Sequence, residues 1–205
     1  IQASLGVAAS ALNGKKLGLI GDSISNNPNC YAKVLADRHG ATLTKYTADG
    51  ARVHRESAEH AAMVMAEIYL TIPTDNPPDI ILIAGGTNDP LSVTIPADPK
   101  PITVDHLGVF TDRTISTFYG ALHVMLSGLR SRFVDTRIGF LAPIPRSVFG
   151  TINMRYIDGD MTNMAFLKYK AIKEVCAYYS VPVWNGNTEF GASPLDSAAW
   201  AEKYM

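Results

Sequence analysis

The sequence is short of cysteine, of like-charge blocks and of long apolar runs, and each shortage removes a class of function. Its two cysteines, Cys30 and Cys176, lie far apart, with no Cys-x-x-Cys spacing and no nearby histidine partners. Neither a zinc site nor a dithiol redox pair is indicated, and two free thiols in or near the core are expected. The 18 basic and 19 acidic residues leave a formal charge of -1 with no block of one sign. No electrostatic footprint for nucleic acid or an anionic membrane surface is present, so neither is expected as a partner. The longest apolar runs, such as Ile80 to Ala84, fall far short of the roughly 20 residues that cross a bilayer. No motif calls for a metal or a cofactor.

What is there reads as one α/β domain. At 205 residues, 47% hydrophobic and 18% charged, the chain can bury a good core. Residues 1–14, rich in Ala, Ser and Leu, read as a lead-in, and 15–205 as a single domain. Leu17 to Ile20 is a short apolar run of the kind a buried parallel strand uses. Helical spacing follows from about Tyr31 until Gly40 stops it. Thr42 to Tyr46 reads as the second strand, and Asp79 to Ala84 as the clearest central one. Arg137 to Ala142 and Val181 to Trp184 complete five. Helices are expected over Ala58 to Ile72, Thr114 to Phe133 and Thr162 to Tyr179, with Met65 and Met125 in the core. Between Pro90 and Asp112 four prolines and no periodicity predict a long irregular loop. Five β/α units in this order predict a three-layer α/β/α sandwich around a doubly wound, five-stranded parallel sheet of flavodoxin-like type.

Three polar loops follow three of these strands: Gly21-Asp22-Ser23, Asp49-Gly50 and Gly86-Thr87-Asn88-Asp89. Open α/β sheets put their chemistry at the C-terminal ends of strands. Ser23, at a strand-to-helix turn, is the candidate nucleophile. A fourth polar stretch, Pro143 to Asp160, holds Arg146, Asn153, Arg155 and Tyr156, a mixture suited to a substrate loop. Gly-x-Ser-x-Gly does not occur, because Ser25 stands where the second glycine belongs, and this disfavours an α/β-hydrolase proper.

Taken in this order, the three loops resemble the SGNH hydrolases, also called GDSL esterases and lipases. The resemblance runs from Leu17 to about Trp184. It implies Ser23 as nucleophile and an oxyanion hole from the backbone N–H groups of Ser23 and Gly50 with the side-chain amide of Asn88. Asp22 and Asp89 would orient the loops. The implied activity is removal of small acyl groups, acetyl among them, from a carbohydrate. The family's fourth block, Asp-x-x-His, supplies the general base, and this sequence contains none. Of the five histidines, 39 and 123 read as structural. Residues 54 and 60 follow the second loop, and 106 lies in the proline-rich stretch. The sequence begins at Ile1 and stops at Met205 where the fourth block is due. A piece of a longer protein is therefore expected, and the resemblance points to an extracellular or virion-borne one. The alternatives are a non-catalytic glycan- or partner-binding module on the same fold and, last, a flavodoxin-like phosphate or flavin binder using 21–27 as an anion cradle.

Overall fold

A computed structural model describes residues 10–55, 63–90, 92–94, 103–143 and 163–186, with backbone alone for 92–94 and 103–105. Five strands form one all-parallel sheet: β1 (Lys16–Gly21), β2 (Thr42–Thr47), β3 (Ile80–Ala84), β6 (Arg137–Leu141) and β7 (Val183–Trp184), in the order β2-β1-β3-β6-β7. Strand β1 is buried from Leu17 onward, as its unbroken apolar run requires. From β1 the chain steps outward to β2 and then returns to the other side of β1 with β3. The topological switch point therefore lies between β1 and β3. Their ends are level, with Gly21 opposite Ala84 on one side and Thr47 on the other.

Helices cover both faces, giving three layers. The larger core joins Ile20, Ile81, Ile83 and Phe140 to α3 (Phe118–Arg132) and α4 (Met164–Tyr178). On the opposite face α2 (Tyr31–His39) packs on β1 and β2, and Leu19, Cys30 and Ala32 form a smaller cluster. Both cysteines are free and buried. Caps fix the helix ends. Thr117 Oγ1 accepts from Gly120 N at 3.2 Å, Asn163 Oδ1 accepts from Phe166 N at 2.9 Å, and Gly40 closes α2 with φ +69°.

Three expectations are corrected. The helix expected over Ala58 to Ile72 is, in its described part, an extended residue followed by a 3₁₀ segment. Val64 forms a parallel bridge with Arg52, and Met65–Leu70 is 3₁₀. The cause is tertiary. Met65 N donates to Arg52 O at 2.8 Å and Ala66 N to Val53 O at 3.3 Å, so these donors serve the loop after β2 instead of an α-helical ladder. Met65 is nevertheless fully buried. The stretch expected to be wholly irregular contains an antiparallel pair, β4 (Ser92–Thr94) and β5 (Thr103–Asp105), with Val93 opposite Val104. The prolines at 96, 99 and 101 fall between these strands in sequence and not within them. Helix α3 starts at Phe118, later than expected, because Thr117 is its cap.

Candidate active site

Strand β1 delivers the first component. A Cβ on Gly21 would sit 2.2 Å from Ser25 Oγ, so the turn leaving the strand needs glycine there. Asp22 is buried, and its carboxylate accepts from Ile24 N at 3.0 Å, capping a single helical turn, α1 (Ser23–Asn26). The Ile24 N–H is thereby spent on the cap. Ser23, the first residue of that turn, is exposed. Its side chain therefore stands on the surface at the switch point while its neighbours on either side anchor the backbone.

The loop after β2 brings up the second component. Asp49 Oδ1 accepts from Asn26 Nδ2 at 3.0 Å, tying this loop to the turn that carries Ser23. Gly50 has φ +71°, and a Cβ built there meets nothing within 4 Å. Left-handed backbone, not crowding by the protein, is what selects glycine at this position. Beyond it, Ala51, Val53 and His54 are fully buried.

The third component follows β3. Gly86 has φ +107°, a Cβ there would stand 3.2 Å from Pro143 and 3.4 Å from Phe118, and the chain then presents Thr87, Asn88 and Asp89. The Asn88 amide donates to Ala51 O at 3.1 Å. Asp89 accepts from Val53 N at 2.9 and 3.1 Å, from His54 N at 3.0 Å, and shares a 2.7 Å hydrogen bond with His54 Nδ1. The second and third loops are thus clasped together by the side chains of two consecutive residues. Asp22 and Asp89 both hold backbone N–H groups in place.

None of the described histidines hydrogen-bonds the Ser23 hydroxyl. His54 is wholly buried on Asp89, and His106 stacks on it with ring centroids 5.7 Å apart. His39 ends α2. His123 is buried within α3, where its Nδ1 meets Tyr179 OH at 3.2 Å. Burial, then the nearby Arg113 charge, lowers its pKa. Arg146, Asn153, Arg155, Tyr156 and His60 lie outside the described residues. Among the described residues no three His, Cys, Asp or Glu side chains gather as a metal site, and no helix is long and apolar enough to cross a membrane. Beside the Ser23 turn, on the α2 side of the sheet, lies an apolar cavity of about 540 Å³ lined by Ile24, Ser25, Leu82, Leu141, Pro143 and Trp184.

The His54–Asp89 contact is the feature that sequence reasoning missed. The one available signal was the position of a histidine just beyond the second polar loop, and its partner stands 35 residues away in the chain.

No family model and no curated protein matches the sequence. Solved structures do. A structural-genomics protein from Lactobacillus plantarum superposes with a TM-score of 0.72 at 24% identity, over 92% of this chain and 85% of that one. A protein described as a GDSL-like lipase from Bacteroides uniformis gives 0.53 at 17% identity, over 92% and 95% of the two chains. A family 2 carbohydrate esterase with a carbohydrate-binding domain, from Corynascus thermopiles (Myceliophthora fergusii), gives 0.53 at 14% identity, over 96% of this chain and 66% of that one. Identities this low speak for architecture alone: the chain has the α/β fold of the SGNH, or GDSL-like, hydrolases.

Proposed function

We propose that the protein is a serine ester hydrolase acting through an acyl-enzyme on Ser23. The observation that carries this reading is the convergence at the switch point. An exposed serine follows β1, and beside it the glycine loop after β2 and the asparagine loop after β3 are clasped to each other by Asn88 and Asp89. Ser23 Oγ attacks the ester carbonyl, its proton passes to a general base, and the carbonyl oxygen becomes an oxyanion. The N–H groups of Ser23 and Gly50 and the Asn88 amide are the donors assigned to it. One Asn88 N–H serves Ala51 O, and a primary amide has a second N–H to give to the oxyanion. Collapse of the tetrahedral adduct expels the alcohol, and water attacking the acyl-enzyme by the same route releases the acid. Among the described residues no histidine is hydrogen-bonded to Ser23.

The substrate assigned is a carbohydrate bearing small acyl groups, acetyl above all. Its support is the polar character of Asn26 and Asp49 beside Ser23 and the carbohydrate esterase among the similar structures. The test is covalent. A serine-directed fluorophosphonate should add its mass to the wild type, map to Ser23 and leave Ser23→Ala unlabelled. Release of acetate from an acetylated oligosaccharide should disappear in that variant. Glycan binding that persists in both forms, with no label and no acetate, would replace this reading by the non-catalytic binding module.

A further inference from the structure

Asp89 has a fully buried carboxylate, and so does its partner ring at His54 lie fully out of solvent. A buried carboxylate must be met by donors. Here there are three: Val53 N–H, shared between the two oxygens at 2.9 and 3.1 Å, His54 N–H at 3.0 Å, and His54 Nδ1 at 2.7 Å. An ionised carboxylate only accepts, which places the proton of the last bond on Nδ1. The ring is shut in on its other sides. His106 stacks on it, with planes inclined by 27°, and Phe118 meets it edge-on at 6.3 Å. That cover is itself pinned, since Phe118 N donates to His106 O at 2.7 Å. Among the described residues Nε2 has no partner. Such a ring is enclosed away from the surface on which Ser23 stands, and its polar side-chain contact is with Asp89.

We propose that His54 is a positioning residue. By donating Nδ1–H to Asp89 it holds the carboxylate against the Val53 and His54 amides, and so holds the Gly50 loop in register with Asn88. The catalytic consequence rests on the ester-hydrolase reading, because Gly50 and Asn88 are the oxyanion donors in it. Without the imidazole the carboxylate loses one of its three donors and turns toward the remaining two. The strip from Gly50 to Val53 then shifts against Asn88. A displacement of about 1 Å at such donors costs on the order of 100-fold in turnover.

The experiment compares wild type with His54→Phe, His54→Asn and Asp89→Asn. The readouts are the NMR resonances of the Gly50 amide and the Asn88 side-chain amide, and kcat and KM on p-nitrophenyl acetate. His54→Phe keeps an enclosed ring without the donor. It should move both resonances and lower kcat about 10- to 100-fold, with KM held within about 3-fold. His54→Asn places an N–H near the former Nδ1 and should restore both resonances, with kcat within about 5-fold of wild type. If His54→Phe does not fold, Asp89→Asn keeps the shape, removes one acceptor and should move the same two resonances. Unmoved Gly50 and Asn88 resonances in a folded variant would overturn the proposal, as would a loss confined to KM or a failure of asparagine to rescue. A wild type unlabelled at Ser23 would sink the hydrolase reading instead, and the clasp would then be judged by the resonances and their rescue.

Discussion

Replacing Asn88 separates the chemistry assigned to the site from its architecture. Asn88→Ala removes two things. One is the hydrogen bond to Ala51 O, 3.1 Å long and ending on a residue that is fully buried. Losing it, and leaving that carbonyl unsatisfied, costs about 1–2 kcal/mol of stability. For a domain of this size that lowers Tm by about 2–8 °C. The other is the donor proposed for the oxyanion, whose absence should lower kcat about 100- to 1,000-fold, or roughly 3–4 kcal/mol of transition-state stabilisation. KM should change by less than about 3-fold, because the donor works on charge that the ground-state ester lacks. Asn88→Asp sharpens the comparison. It is nearly isosteric, donates to neither acceptor, and sets a negative charge against the forming oxyanion, so its kcat should fall below that of Asn88→Ala. The assay is initial-rate kinetics on p-nitrophenyl acetate with melting followed by circular dichroism. A fall expressed wholly in KM, or an aspartate variant that turns over as fast as wild type, would refute the oxyanion role while leaving the structural one standing.

Gly50→Ala meets no atom within 4 Å, so its penalty is the left-handed backbone alone, about 1–2 kcal/mol. Gly120→Ala, whose Cβ would stand 2.1 Å from the Thr114 carbonyl oxygen, should lower Tm further, and thermal melts of the two check the ranking. Met125→Ala opens a cavity under α3 at a fully buried position, and urea titration should show a loss of about 2–5 kcal/mol. Burial pushes the Cys176 thiol up to about 12 from an ordinary value of 9.0. Between those values the unfolded chain has released the proton and the folded one retains it, so stability falls as pH rises. Urea midpoints at pH 8 and pH 10 should drop more in wild type than in Cys176→Ala, and equal drops would contradict the burial argument.

The parts of the fold that could be read in advance were those whose signal is local. Strands β1 and β3 are unbroken apolar runs ended by glycine, which in an α/β chain has few other interpretations. With them came the switch point and, directly behind it, Ser23 and Asn88. The 3₁₀ segment after Val64 was not readable. Its apolar spacing suits an α-helix equally well, and what excludes the α-helix is a pair of donors captured by Arg52 O and Val53 O in another loop. Strands β4 and β5, of three residues each, are too short for alternation to register. Asp89 stood out in the sequence through its place beside Asn88, whereas His54 carried no periodic or motif signal. Its meaning lies in a bond across the fold.

That bond also bears on the order in which the protein comes together. The clasp from Asn88 and Asp89 to Ala51 and Val53 closes segments of 36 to 37 residues, an entropic cost of about 3 kcal/mol before any contact is gained. A few hydrogen bonds cannot meet that alone. Pairing of β1 with both β2 and β3 must first bring the two loops level, and the clasp then forms almost as an intramolecular afterthought. The reverse journey has the same asymmetry: the loops can come apart while the sheet stays intact. Loss of the site and loss of the fold are therefore separable events, and the first needs much less than the second.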